Sequence, residues 1–271
     1  MELEEAVRGR RSIRKFISKN IPRMFVDEIL DTALWSPSWG NTQPWEFYVL
    51  TGEHLAAFKK AGTQVLADGL AFKPDIVMPD DWPSALKGRY NELGKNLLDI
   101  LGIKREDKDA RNQLHARMAS LFDAPCLIVA CIPRDVLAEY AMLDMGLVVQ
   151  TICLLAHAKG LGTCIMAAAV RYPDLLRKIA SIPDDRRIVM GIALGFPDPD
   201  YPLNRFERKR AKPREIVHWL NDCEIAEAGL HLDSVKGLKN EKSKTGWYWA
   251  DRVGSGLWRD PYHSTDPRGG C

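Results

Sequence analysis

The chain has 271 residues, 46% hydrophobic and 27% charged, which is enough apolar sequence to bury a sizeable core in one large domain or one domain with an appendage. Its 38 basic and 36 acidic side chains leave a formal charge of +2, so no global field favours nucleic acid or an acidic membrane surface, and any phosphate recognition has to be local. Six cysteines (126, 131, 153, 164, 223 and 271) show no CxxC spacing, and four of them sit inside apolar segments as small hydrophobes, which argues against disulfides and against a metal site.

In chain order, MELEEAVRGRRS begins with acidic residues and lacks an apolar h-region, so a soluble cytoplasmic protein is expected. Residues 3–9 are predicted as a short helix running into GRRSIRKF. Pro22 suits the first turn of a second helix, with Phe25, Ile29, Leu30, Ala33 and Leu34 on its apolar stripe, and Pro37 stops it. The next stretch, SPSWGNTQPWEF (36–47), is too polar for a core and too aromatic for a plain loop. WEFYVLTG (45–52) reads as a strand, with a helix from Glu53 towards Leu66. Residues 70–120 form a helical excursion with solvated faces, the kind of insertion that makes a lid or a pocket wall.

CLIVACI (126–132) and IVMGIALG (188–195) read as buried strands, far shorter than the roughly 20 residues a membrane helix needs. Between them, Asp135 to Lys159 is predicted as a helix apolar on nearly every face, which has to be covered by its own core or by a second subunit. Gly160 ends it. A proline-rich loop, FPDPDYPLNRF, leads into the basic ERKRAKPRE and a predicted short strand, EIVHW (215–219). Beyond about residue 222 the composition shifts and carries Trp247, Trp249 and Trp258, either as a disordered tail or as an arm docked on a neighbouring surface.

GLGTCI (160–165) starts like a dinucleotide fingerprint, but Ile165 stands where the third glycine belongs and a helix precedes it. GxxxxGK[ST], HExxH and GxSxG do not occur, and the six histidines lack ligand spacing. Two basic clusters remain: Arg10, Arg11, Ser12 and Arg14 near the start, and Arg208, Lys209 and Arg210 about 200 residues later. Each alone is an ordinary solvated face; together they would hold a phosphate monoester dianion by paired hydrogen bonds.

Five segments in order resemble the FMN-dependent nitroreductase family: RRSIRKF (10–16), SPSWGNTQPWEF (36–47), FDAPCLIVACI (122–132), DMGLVVQTICLLAHAKGLGTC (144–164) and LGFPDPDYPLNRFERKR (194–210). The resemblance implies an α+β fold with a central, mainly antiparallel sheet surrounded by helices, formed around a homodimer interface with FMN in each of two clefts. It implies an FMN-binding domain over 1–222 and an extension over 223–271. Arg10, Arg11, Ser12, Arg14, Arg208 and Arg210 would take the phosphate and ribityl chain, with Lys209 and Lys212 as alternatives to the late pair. Pro37, Ser38 and Asn41 would reach the flavin of the other subunit, and Ile165, Met166, Ala167 and Ala168 would lie against the ring near N5. Ala167 and Ala168 depart from the Glu-Gly pair of other members, so only a backbone role carries over. Trp45 is read as a core residue. Asn91, Asn96 and Asn112 are open candidates for a further flavin contact.

The implied activity is hydride transfer from NADH or NADPH through flavin N5 to a small electron-poor acceptor, a nitroaromatic or quinone, by a ping-pong scheme with no catalytic side chain and no metal. Other reactions on the fold are flavin cleavage and reductive dehalogenation. For the latter a Glu-Tyr-Lys clamp is expected, and Leu86 stands four residues before Tyr90. A non-catalytic flavin-binding or interaction protein is the alternative from another class.

Overall fold

The computed structural model describes residues 1–220, which fall into two units, Met1–Arg208 and Lys209 onward. In the first unit four strands, β1 (Glu46–Leu50), β2 (Cys126–Pro133), β3 (Gly162–Met166) and β4 (Arg186–Gly195), pair in the order β1-β2-β4-β3, every pair antiparallel. The helices are α1 (Leu3–Gly9), α2 (Arg23–Ala33), α3 (Gly52–Ala67), α4 (Ser84–Ile100), α5 (Lys108–Ala119), α6 (Ala138–Ala158) and α7 (Pro173–Ala180).

The unbroken apolar run of β2 has a direct physical reading. Successive side chains of a strand point to opposite faces, so a strand covered on both sides shows no alternation. Leu127, Val129 and Cys131 join a core with Phe58, Met166 and Leu176. Ile128, Ala130 and Ile132 join a second core with Ile29, Val148 and Ile152. α3 and α7 therefore cover one face of the sheet, and α2 and α6 the other. Each such Leu or Ile contributes about 1.5–3 kcal/mol of burial. Trp45 enters the second core as expected, and Val26 takes the buried position on α2 beside Ile29 and Ala33, leaving Leu34 outside.

Ala141, Met145, Val148, Ile152 and Ala156 run down α6 at helical spacing into the core. By length and composition α6 could cross a membrane; in this fold its buried stripe lies on the sheet. Tyr140, Leu143 and Leu147 stay exposed on its other side. The helix closes with Gly160 at φ +75°, donating to His157 O at 3.0 Å.

The excursion between β1 and β2 carries α4 and α5, neither with a buried residue. Its root is fixed. Asp75, with a side chain 9% exposed, accepts from Arg177 Nη2 at 2.5 Å, from Ile188 N at 2.8 Å and from Arg134 Nη2 at 3.3 Å.

In the second unit the expected strand over 215–219 does not form. Pro213–Glu215 make a 3₁₀ turn, and the N–H groups of Ile216 and Val217 fold back onto Pro213 O at 3.0 and 2.7 Å, which removes the donors a ladder would use. The Trp-bearing extension of 223–271 lies outside the described residues.

Burial pushes the Asp75 carboxyl up, but its bonds to Arg177 and Ile188 and the charges of Arg177 and Arg134 outweigh this and leave its pKa lowered. The stabilisation is thus present above the unfolded carboxylate value of about 3.9 and lost as pH falls through the lower folded value. Asp75→Asn is expected to cost about 1–3 kcal/mol at pH 7, read as a lower melting temperature, with the gap to wild type closing below about pH 4.

Candidate functional site

The segment after α1 is laid along β3 and the loop that follows β4. Arg10 N donates to Ala6 O at 2.9 Å and ends the helix; Ile13 N then donates to Thr163 O at 2.9 Å, forming a parallel bridge between Ser12 and Thr163. Ile13 and Phe16 are buried and anchor it. Gly162 is required at the crossing, because a Cβ there would stand 2.4 Å from Ile13 Cγ1 and 2.9 Å from Pro197 Cγ.

Asn204, buried in a 3₁₀ turn (Pro202–Asn204), ties the two strands of this ledge together. Its Oδ1 accepts from Arg14 N at 2.7 Å, its Nδ2 donates to Lys15 O and Asp198 O at 2.8 Å each, and its carbonyl accepts from Arg11 Nη1 at 3.3 Å. The chain then brings Arg208 back to α1, where its guanidinium donates to the carbonyls of Arg8 and Arg10. Arginines from both ends of the first unit therefore meet, and the backbone holds them.

No ion pair joins Arg10, Arg11 or Arg14 to a carboxylate among the described residues. Arg10 Nε is buried without a hydrogen-bond partner among the described residues. Arg14 donates to Ser12 O at 3.3 Å and lies over the Phe206 ring at 5.7 Å, with its pKa lowered by burial against the pull of Cys164 and Tyr201. Such a group can hold an anion by charge-assisted hydrogen bonds.

Beside the arginines, β3 ends at the stretch expected against the flavin. Ile165 is the exposed member of an otherwise buried strand, 40% accessible. Met166 is a core residue, so only its backbone is available; Ala167 and Ala168, half-buried, open a 3₁₀ turn (Ala167–Val170). Burial pushes the thiols of Cys126 and Cys131 to about 12 and that of Cys164 to about 11, which leaves none of these as a nucleophile at neutral pH.

Pro37, Ser38 and Asn41 are elsewhere in the same chain. Trp39 N donates to the buried Asp144 at 3.0 Å, and Ser36 Oγ bonds Thr151 Oγ1 at 2.9 Å, so the loop is fastened along the middle of α6. The loop's own turn uses Ser38 Oγ as acceptor for Gln43 N at 2.9 Å and Asn41 Oδ1 as acceptor for Gln43 Nε2 at 3.2 Å. Gly40, Asn41 and Gln43 all have φ near +50°, a conformation that glycine and asparagine adopt most readily. From Asp144 to His157, near Arg10 and Arg11, the helix rises by about 20 Å. One copy of the chain therefore holds the Trp39 part of its loop about 20 Å along α6 from the arginines, while Ser36, at Thr151, stands nearer to them. A cleft of about 620 Å³ lies beside Trp39, lined by Trp39, Gln43, Trp45 and Tyr140 among others, with no cationic side chain on its walls among the described residues.

Arg210 belongs to the second unit, where its Nη1 donates to Lys209 O at 2.8 Å. Sequence reasoning missed Asn204 and His157. The only trace of Asn204 was an amide in a proline-rich loop.

The Nitroreductase family matches residues 7–196. A 4-nitrobenzoate reductase from Nocardioides sp. (strain LMS-CY) is 34% identical over 73% of this chain and 81% of its own length. The 4-nitrobenzoate reductase of Pseudomonas putida is 30% identical over 81% and 96%. Among solved structures, the FMN- and NADPH-dependent nitroreductase NfnB from sphigopyxis sp. strain HMH superposes with a TM-score of 0.78 at 29% identity, covering 82% of this chain and all of its own. The FMN-dependent nitroreductase NfnB from Mycobacterium smegmatis, solved with NADPH, gives 0.76 at 26% identity, covering 80% and 97%.

Asn204→Ala removes three side-chain hydrogen bonds at once and is expected to cost about 1–3 kcal/mol of stability. Flavin retention through gel filtration should fall with it, while Asn204→Asp should keep the bond from Arg14 N and retain more flavin than the alanine variant.

Proposed function

The chain belongs to the nitroreductase family, and on that footing we propose that it is an FMN-dependent oxidoreductase that reduces a nitroaromatic acceptor with NAD(P)H. The observation that carries the cofactor assignment is the buried, unpartnered Nε of Arg10 within a group of arginines. A phosphate monoester dianion supplies the acceptor which that nitrogen lacks, and charge-assisted bonds of this kind contribute about 1.5–3 kcal/mol each.

Arg10, Arg11, Ser12, Arg14 and Arg208 hold the phosphate and ribityl chain, with Arg210 as a further candidate. Ile165 offers an apolar contact to the ring, and the backbone of Ala167 and Ala168 a donor to its N5 edge. When bound, the flavin supplies the redox chemistry, accepting hydride from the nicotinamide and passing the electrons to the acceptor. The residues of this chain bind, orient and bring positive charge, and no side chain acts as nucleophile. The nitro group as acceptor is supported by the two 4-nitrobenzoate reductases, and NADPH as donor by the two NfnB structures; NADH is the other candidate.

The working unit is a homodimer. Pro37, Ser38 and Asn41 reach the flavin of the second copy, and the exposed Tyr140, Leu143 and Leu147 of α6, with Trp35 at 87% exposure, are the apolar surface that association covers. The flavin domain is assigned to residues 1–222, and the cytoplasm is the compartment that supplies its reductant.

The purified protein is expected to be yellow and to bleach with NADPH in the absence of oxygen; a protein that stays yellow with both nicotinamides is a flavin binder and not a reductase. Steady-state rates with NADPH and 4-nitrobenzoate should give parallel double-reciprocal lines. Arg10→Ala should weaken FMN binding about 10- to 100-fold, as the loss of a charge-assisted bond predicts. Leu143→Asp should yield monomers by light scattering, with loss of flavin from the same sample.

A further inference from the structure

His157 sits one helical turn after Cys153 on α6, against the backbone that leads into the arginines. The contact is close: a Cβ on Gly9 would lie 2.4 Å from His157 Nε2. Glycine at position 9 thus lets the imidazole lie directly against the last residue of α1. The charged groups that face it are Glu5 on α1, Arg10 and Arg11 in the segment after α1, and Arg208 in the loop after β4; the Cys153 thiol is buried and neutral, its pKa raised by burial.

We infer that His157 is the proton partner of the phosphate site: when a phosphate monoester dianion enters among Arg10, Arg11 and Arg208, the imidazole takes up a proton. This rests on the assignment of those arginines to the cofactor phosphate.

The physical argument is a balance of charge. Arg11, Arg10 and Arg208 oppose protonation of His157 and Glu5 favours it; burial first, then Arg11, Arg10 and Arg208, hold its pKa below the ordinary 6.5. A dianion brings two negative charges into the same group and cancels much of that field, so the bound state favours the imidazolium. By linkage, the dianion then binds more tightly as pH falls through the bound-state pKa of His157, and the gain levels off below its free-state value. His157 is a positioning residue, since it acts through the arginines and the Gly9 backbone.

The holoprotein is diluted at pH values from 5.5 to 7.5, and FMN dissociation is followed by recovery of flavin fluorescence, for wild type and for His157→Gln. The phosphate's own second ionisation, near pH 6, contributes equally to both proteins, so their difference isolates the imidazole. The dissociation constant of wild type relative to the variant is expected to fall about three- to tenfold from pH 7.5 to 5.5, in keeping with a coupling of up to one pKa unit. Riboflavin, which has no phosphate, should show no such difference.

Parallel pH curves for the two proteins overturn the inference while leaving the phosphate assignment intact. Equal binding of FMN and riboflavin overturns the assignment itself. Should the glutamine variant not fold, proton NMR of the wild-type imidazoles with and without FMN decides. A histidine signal whose pKa rises on FMN binding supports the inference, and pKa values unchanged by FMN overturn it.

Discussion

Gathering guanidinium groups in one place is electrostatically uphill, and much of this fold exists to keep them there. Two unit charges of like sign at 4 Å repel by about 4 kcal/mol at an effective dielectric of 20. Backbone carbonyls hold these groups in place: Arg208 donates to the carbonyls of Arg8 and Arg10, Arg11 to that of Asn204, and Arg14 to that of Ser12. A neutral acceptor holds the geometry of a guanidinium without cancelling its charge.

The same logic explains why the ledge is stitched so densely to its surroundings. Ile13, Phe16, Gly162 and Asn204 bind no ligand in this reading, yet they fix the backbone from which three arginines project. On α6, the last turn lies by the arginines, Asp144 and Thr151 hold the Trp39 loop, and the exposed Leu143 and Leu147 face away from the core.

Local signals in the sequence were strong for the sheet centre and weak for what depends on tertiary contact. β2 and β4 were legible because both faces are buried and the apolar runs are continuous. The helix before Gly160 was legible for its length. β3 was not, because Gly162–Met166 follows the helix cap so closely that its residues read as the end of the helix. EIVHW misled because its β-branched and aromatic composition suits a strand, whereas Pro213 and the turn it opens consume the donors. In the site, the convergence of Arg10 to Arg14 with Arg208 followed from ordered motifs. Asn204 and His157 did not, since each matters only through groups roughly 150 to 200 positions away. The loop of residues 36–47 was legible as special, but its attachment to Asp144 and Thr151 was not.

The excursion that carries α4 and α5 is fastened at both feet. At one, Asp75 is locked to Arg177 and Ile188; at the other, Arg117 donates to Tyr201 at 2.8 Å and lies over its ring. A span tied down at both ends, with α4 also packed against the Pro202–Asn204 turn and α5 against α3, moves far only by breaking contacts at several points.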